Sequence, residues 1–95
     1  MREEKKDFMP PEPSFSFFIT TLFYQASIFL GQMPNPITNK TEENLPQAKF
    51  IIDTLEMLQE KTKGNLNEEE LKLLEDLLYN LRSSYLTKIK DGKNS

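Results

Sequence analysis

A chain of 95 residues with 12 basic and 15 acidic side chains, no Cys and no His carries a formal net charge of -3. That inventory excludes disulfides, thiol chemistry and imidazole-based sites, and it fits a reducing, cytoplasmic setting. The charge is also spread evenly, since residues 1–13, 40–66 and 67–95 each sum to -1, so no basic footprint exists for nucleic acid.

Residues 1–13 mix both signs of charge and end in Pro10, Pro11, Glu12 and Pro13, a composition that opposes helix and favours an extended, solvated tail. Arg2, Lys5 and Lys6 are offset by Glu3, Glu4 and Asp7. A net-positive start and a small-residue cleavage site are both missing, so no cleaved secretory signal is expected.

A single helical domain is expected over 14–90, with helices over about 14–31, 45–63 and 67–90 and a short tail at 91–95. Ser14 is placed to cap the first helix, and Gly31, Pro34 and Pro36 end it. Phe15, Phe18, Ile19, Leu22, Ala26, Phe29 and Leu30 share one stripe at helical spacing, whereas Phe17, Tyr24 and Ile28 lie on another side. Two further helices can cover only one such face. The other asks for a second copy, an unlike protein or lipid.

Gln32 to Asn44, with Pro34, Asn35, Pro36 and Asn39, reads as a connection long enough for the first helix to pack on its own hairpin or on a neighbour's. The second helix opens near Asn44 or Leu45 with Pro46 in its first turn, where a missing N–H costs nothing. Leu45, Ala48, Ile51, Ile52, Leu55 and Leu58 form its apolar stripe, and Lys61 and Lys63 suit its negative end.

Gly64 supplies the left-handed residue after that helix, and Asn67 with Glu70 three positions on forms a capping box for the next. Lys61, Thr62, Gly64, Asn65, Asn67 and Glu70 are therefore read as turn-forming rather than chemical. Leu71, Leu74, Leu78, Leu81 and Tyr85 follow at alternating three- and four-residue steps, an a/d seam for antiparallel pairing. Counting back from Gly64 sets Leu58 near Leu71, Leu55 near Leu74, Ile51 and Ile52 near Leu78, and Ala48 near Leu81. The Lys88, Lys90, Lys93 cluster reads as a helix end, where cations complement exposed carbonyls.

Leu30-Gly31, Asn35-Pro36-Ile37-Thr38, Leu45, Ala48-Lys49, Ile52-Asp53, Leu55, Leu58, Lys61-Thr62-Lys63-Gly64-Asn65-Leu66 and Glu69-Glu70 together resemble the bacterial domain of unknown function 1844 family. The most specific element is the Lys-Thr-Lys-Gly-Asn-Leu turn after Ile52-Asp53-x-Leu55, and Leu81-Arg82 with Tyr85 fits the close of the third helix. Asn39 stands where the resemblance leads one to expect Gly; Asn is the next most tolerant of a left-handed backbone. The resemblance implies a small helical protein and brings no catalytic residue with it.

Little chemistry can be assembled from the residues themselves. Lys61-Thr62-Lys63-Gly64 has the composition of a phosphate loop in the wrong order, at a helix C-terminus whose partial charge repels anions. Asp53, Glu56, Glu60, Glu75 and Asp76 raise the question of a carboxylate metal site, but Lys49 and Lys72 lie at pairing distance and a solvated charged face explains them. Asp53 and Arg82, within a few turns of each other on facing helices, are a candidate interhelical or intersubunit ion pair, against which each reaching solvent or pairing locally is the plainer outcome.

The first helix carries the functional decision. Residues 13–39 hold no charge, yet Thr20, Thr21, Gln25 and Ser27 interrupt the run and it is short for a membrane span. The expected function is that of an all-α, homo-oligomeric interaction or scaffold module, a dimer or higher, with no catalytic site, metal or cofactor. Its candidate interface is Phe15, Phe17, Phe18, Leu22, Tyr24, Ile28 and Phe29. An unlike protein partner, a membrane-associated role for helix 14–31 and a carboxylate–metal enzyme stand as the alternatives.

Overall fold

A computed structural model describes residues 12–94. The fold is all-α, built from α1 (Phe15–Phe29), α2 (Leu45–Lys61) and α3 (Glu68–Asn94), each packed against the other two. Each boundary up to the start of α3 has a local cause. Ser14 is extended at φ -148° and its side chain accepts a hydrogen bond from the Phe17 amide at 3.0 Å, satisfying one of the free donors of the first turn. At the other end of α1 the Gly31 amide donates to the Ile28 carbonyl and the Gln32 amide to the Ser27 carbonyl, both at 3.0 Å. This double closure needs a left-handed residue at position 31, and Gly31 supplies it at φ 78°.

Asn44 caps α2 by accepting from the Gln47 amide at 3.2 Å. Thr62 closes the helix, its amide and hydroxyl both donating to the Leu58 carbonyl, and Gly64 turns the chain at φ 85°. The capping box of α3 is reciprocal: Glu70 N donates to Asn67 Oδ1 at 2.7 Å and Asn67 N to Glu70 Oε1 at 3.0 Å. The third helix continues to Asn94, through the stretch expected as a tail. Gly92 costs such a helix about 1 kcal/mol, which does not stop propagation in the way a proline would.

The core consists of Ile19, Ala26 and Leu30 from α1 and its cap, Ala48, Ile51, Ile52 and Leu55 from α2, and Leu74, Leu78 and Leu81 from α3. Phe15, Leu22, Phe23, Phe29, Leu58 and Tyr85 pack around it half-buried. Thus α1 lies on its own hairpin. Leu30 and Glu43 form an antiparallel bridge and the Asn44 amide donates to the Phe29 carbonyl at 2.8 Å, which sets the end of α1 beside the start of α2. Gln32 Nε2 donates to Ser84 Oγ at 2.8 Å and Lys88 Nζ meets Glu43 Oε2 at 2.6 Å, so the far half of α3 closes the same end.

Arg82 meets Glu56 at 2.8 Å, and the groove between α2 and α3 is lined by Lys49, Ile52, Asp53 and Glu56 on one side and Arg82, Tyr85 and Leu86 on the other. Ile52 and Leu78 both lie in the buried core, and Tyr85 packs against it.

Candidate interaction surface

The residues expected at an interface divide between two jobs. Phe15, Leu22 and Phe29 pack half-buried against the core, and Ile28 is half-buried as well. Phe17, Phe18 and Tyr24 remain 52%, 49% and 52% exposed. Phe18 therefore leaves the inward stripe to which its spacing assigned it, because α2 and α3 cover a sector of α1 narrower than that stripe.

Thr21 lies one turn from Phe17 on the same side of α1, between Phe17 and Tyr24. Its hydroxyl donates back to the Phe17 carbonyl at 2.9 Å, and that of Ser27 donates to the Phe23 carbonyl at 3.0 Å. The Thr21 and Ser27 hydroxyls are thus satisfied by their own helix backbone. Ser27 is only 4% exposed, and no described buried side-chain N or O lacks a partner. The Phe23 ring meets that of Tyr24 edge-on at 5.8 Å, which holds the tyrosine ring outward. The outcome is an open aromatic face within a segment, residues 13–39, that has no formal charge.

The polar residues form pairs rather than a chemical site. Lys49 Nζ contacts both oxygens of Asp53, at 2.9 and 3.1 Å, and Lys72 pairs with Asp76 at 3.3 Å. The Asp53 hydrogen bond, followed by the charge of Asp53, raises the Lys49 ammonium above its ordinary value. Arg82 does make an interhelical pair, but with Glu56, through Nε at 2.9 Å and Nη2 at 2.8 Å; Asp53 is taken by Lys49 on its own helix. Among the described residues no three carboxylates are grouped so as to hold a metal ion.

Lys61 is the exposed last residue of α2. Thr62, Gly64, Asn65, Asn67 and Glu70 are all used in the turn, where the Asn65 amide donates to the Thr62 carbonyl at 2.8 Å. The groove beside them is lined by Gln59, Glu60, Thr62, Lys63, Leu66, Leu71 and Glu75. Among described residues, no helix is long and apolar enough to cross a membrane.

Sequence reasoning passed over several exposed apolar side chains: Ile37 at 91%, Phe50 at 66%, Tyr79 at 74% and Leu86 at 60%. Phe50 and Met57 could have been found as an apolar pair one seven-residue step apart, opposite the Ala48 and Leu55 stripe. The exposure of Ile37 had no such periodic signal, being set by loop geometry.

No curated protein and no solved structure shows a match to the chain. The family model described as Domain of unknown function (DUF1844) matches residues 12–87, from the residue before Pro13 through most of α3, and the chain belongs to that family.

Proposed function

We propose that the chain is a helical interaction module that associates with a second copy of itself through the outer face of α1. The observation that carries this reading is the half-exposed trio Phe17, Phe18 and Tyr24 on a helix without a charge. An unlike partner would ordinarily be selected by charge complementarity, and α1 carries no charged side chain. Aromatic rings on an uncharged helix are self-complementary. With two copies of α1 antiparallel about Thr21, Phe17 of each faces Tyr24 of the other, the reciprocal contact a two-fold axis requires. Such a module would bring its copies, and whatever is joined to them, together without performing a reaction.

The test is sedimentation velocity on the full chain in detergent-free buffer, with Phe17→Glu/Tyr24→Glu as the disrupting variant and Tyr79→Glu as a control on α3. A wild-type dimer that the double variant turns into a folded monomer, with the control unchanged, supports the reading. A monomeric wild type, or a dimer indifferent to the double variant, refutes it. Cosedimentation with lipid vesicles lost in the same double variant would assign the face to a membrane surface instead.

A further inference from the structure

The aromatic face of α1 opens beside the stretch of chain that leads into the helix. Phe17 and Phe18 stand in its first turns, 52% and 49% exposed, and Tyr24 follows about two turns on at 52%. Glu12, Pro13 and Ser14 are all exposed, so the chain reaches α1 from the solvent side and not through the core. With Ser14 as the cap, Pro13 and Phe18 occupy the N′ and N4 positions, between which an apolar contact ordinarily sets the angle of entry. Phe18 belongs to the open face, and that geometry brings the incoming chain over the same side.

Residues 1–11 lie outside the described residues, and their sequence supplies what the face lacks. Phe8 and Met9 are an adjacent apolar pair, preceded by Arg2, Glu3, Glu4, Lys5, Lys6 and Asp7, whose charges cancel. An uncharged helix neither attracts nor repels such a segment, so the apolar pair decides where it rests. Reach permits the contact. Phe8 precedes Ser14 by six residues, up to ~20 Å of extended chain, and Tyr24 follows Ser14 by ten, ~15 Å of helix. Phe8 and Met9 can therefore lie anywhere along the face from Phe17 to Tyr24.

Area and tethering select this occupant over a free molecule. Three aromatic side chains about half open offer ~300 Å² at ~200 Å² each, small beside the ~800 Å² per partner of a stable interface between molecules. It is the area that one Phe and one Met can cover. A segment joined by a short linker acts at an effective concentration of order millimolar, and it gives up none of the translational and rotational freedom that a second molecule loses. From this we infer that residues 1–11 dock in cis on the outer face of α1, Phe8 and Met9 covering Phe17, Phe18 and Tyr24, and that two copies associate only when both faces are released. The second half rests on the self-association proposed above; the docking itself does not.

The chain has no cysteine, so Lys5→Cys can carry a nitroxide at that position alone, on a chain also labelled with nitrogen-15. Amides from Phe17 to Gln25 are expected to broaden beyond the level seen when the same label sits on a Phe8→Ser/Met9→Ser chain, which gives the baseline for an undirected tail. The extra broadening is expected to persist on tenfold dilution into unlabelled, unmodified protein. In sedimentation, Phe8→Ser/Met9→Ser without the label is expected to tighten dimerisation about tenfold, as when each of two faces is otherwise free about a third of the time, with circular dichroism unchanged. Equal broadening in the two labelled chains overturns the docking. Broadening that disappears on dilution also overturns it, because the segment then rests on another molecule. Docking in a chain that stays monomeric even as Phe8→Ser/Met9→Ser supports the cis contact and refutes the self-association. Docking with a dimer affinity indifferent to that substitution overturns the tail's control over association.

Discussion

Replacing Gly31 with alanine should cost more than the same change at Gly64, for a reason that can be isolated. Both glycines are left-handed, at φ 78° and 85°, so an alanine at either position bears about 1–2 kcal/mol of backbone strain. Their surroundings differ. A Cβ on Gly64 would meet nothing within 4 Å, whereas one on Gly31 would stand 2.9 Å from Glu43 Cγ. Glu43 is bridged to Leu30 and holds Lys88, so moving its side chain strains a rotamer and loosens a contact between the loop and α3. An off-rotamer side chain costs about 0.5–1.5 kcal/mol, and a partly exposed ion pair contributes up to about 1. Gly31→Ala is therefore expected to destabilise by roughly 2–3 kcal/mol against roughly 1–2 for Gly64→Ala. The decisive measurement is a double-mutant cycle by urea denaturation at one fixed protein concentration. In a Glu43→Ala background, where Cγ is gone, the cost of Gly31→Ala should fall by about 1 kcal/mol, to the level seen at Gly64. A Gly31→Ala cost that is the same in both backgrounds would refute the steric argument.

Three further outcomes are expected. Leu78→Ala, at a fully buried position, should lower stability by about 2–5 kcal/mol in thermal or urea unfolding, while Tyr79→Ala beside it, 74% exposed, should stay within about 0.5 kcal/mol of wild type. Asn67→Ala removes the acceptor for the Glu70 amide and should cost about 1 kcal/mol, and Asn67→Asp should restore most of that loss. Lys49, raised above the ordinary lysine value of 10.5 by its hydrogen bond to Asp53, should titrate above the value it takes in Asp53→Asn when followed by side-chain NMR. Because the folded value is the higher one, the stabilisation is complete below the ordinary value and is lost as pH rises through the raised one. A Lys49 titration unchanged by Asp53→Asn would refute the assignment.

Much of this architecture could be read from the chain because the signals were local. Ser14, Gly31, Asn44 with Pro46, Gly64 and the Asn67–Glu70 box each act within four residues of where they stand, and each marks the boundary that its chemistry dictates. Leu74, Leu78 and Leu81 are fully buried, as their seam spacing required, whereas Leu71 of the same seam is left 41% exposed at the start of α3. What depended on tertiary geometry was less legible. Helical spacing gives the direction of Phe18 but not the width of the surface that α2 and α3 offer, so its exposure could not be read. The partner of Arg82 depended on local competition: Lys49 takes Asp53 on its own helix, and Arg82 reaches Glu56 across the hairpin. Ile37 sat in a Pro- and Asn-rich stretch that announces a turn and says nothing of what the turn displays.

The cross-links at the open end of the bundle also bear on the order in which the fold is made. Pairing α2 with α3 closes the short connection at 62–67, whereas seating α1 brings together Gln32 with Ser84 across 52 residues of chain. Loop closure grows costlier with separation, and rates fall as contacts become less local. The hairpin is thus the natural nucleus, and α1 is the element captured late and released early. Native-state hydrogen exchange should show α1 amides opening in a unit of lower free energy than the Leu74–Leu81 stretch of α3. Shortening α3 before Ser84 would then be felt first in α1, because it removes the hydrogen bond from Gln32, just past the end of that helix, to Ser84.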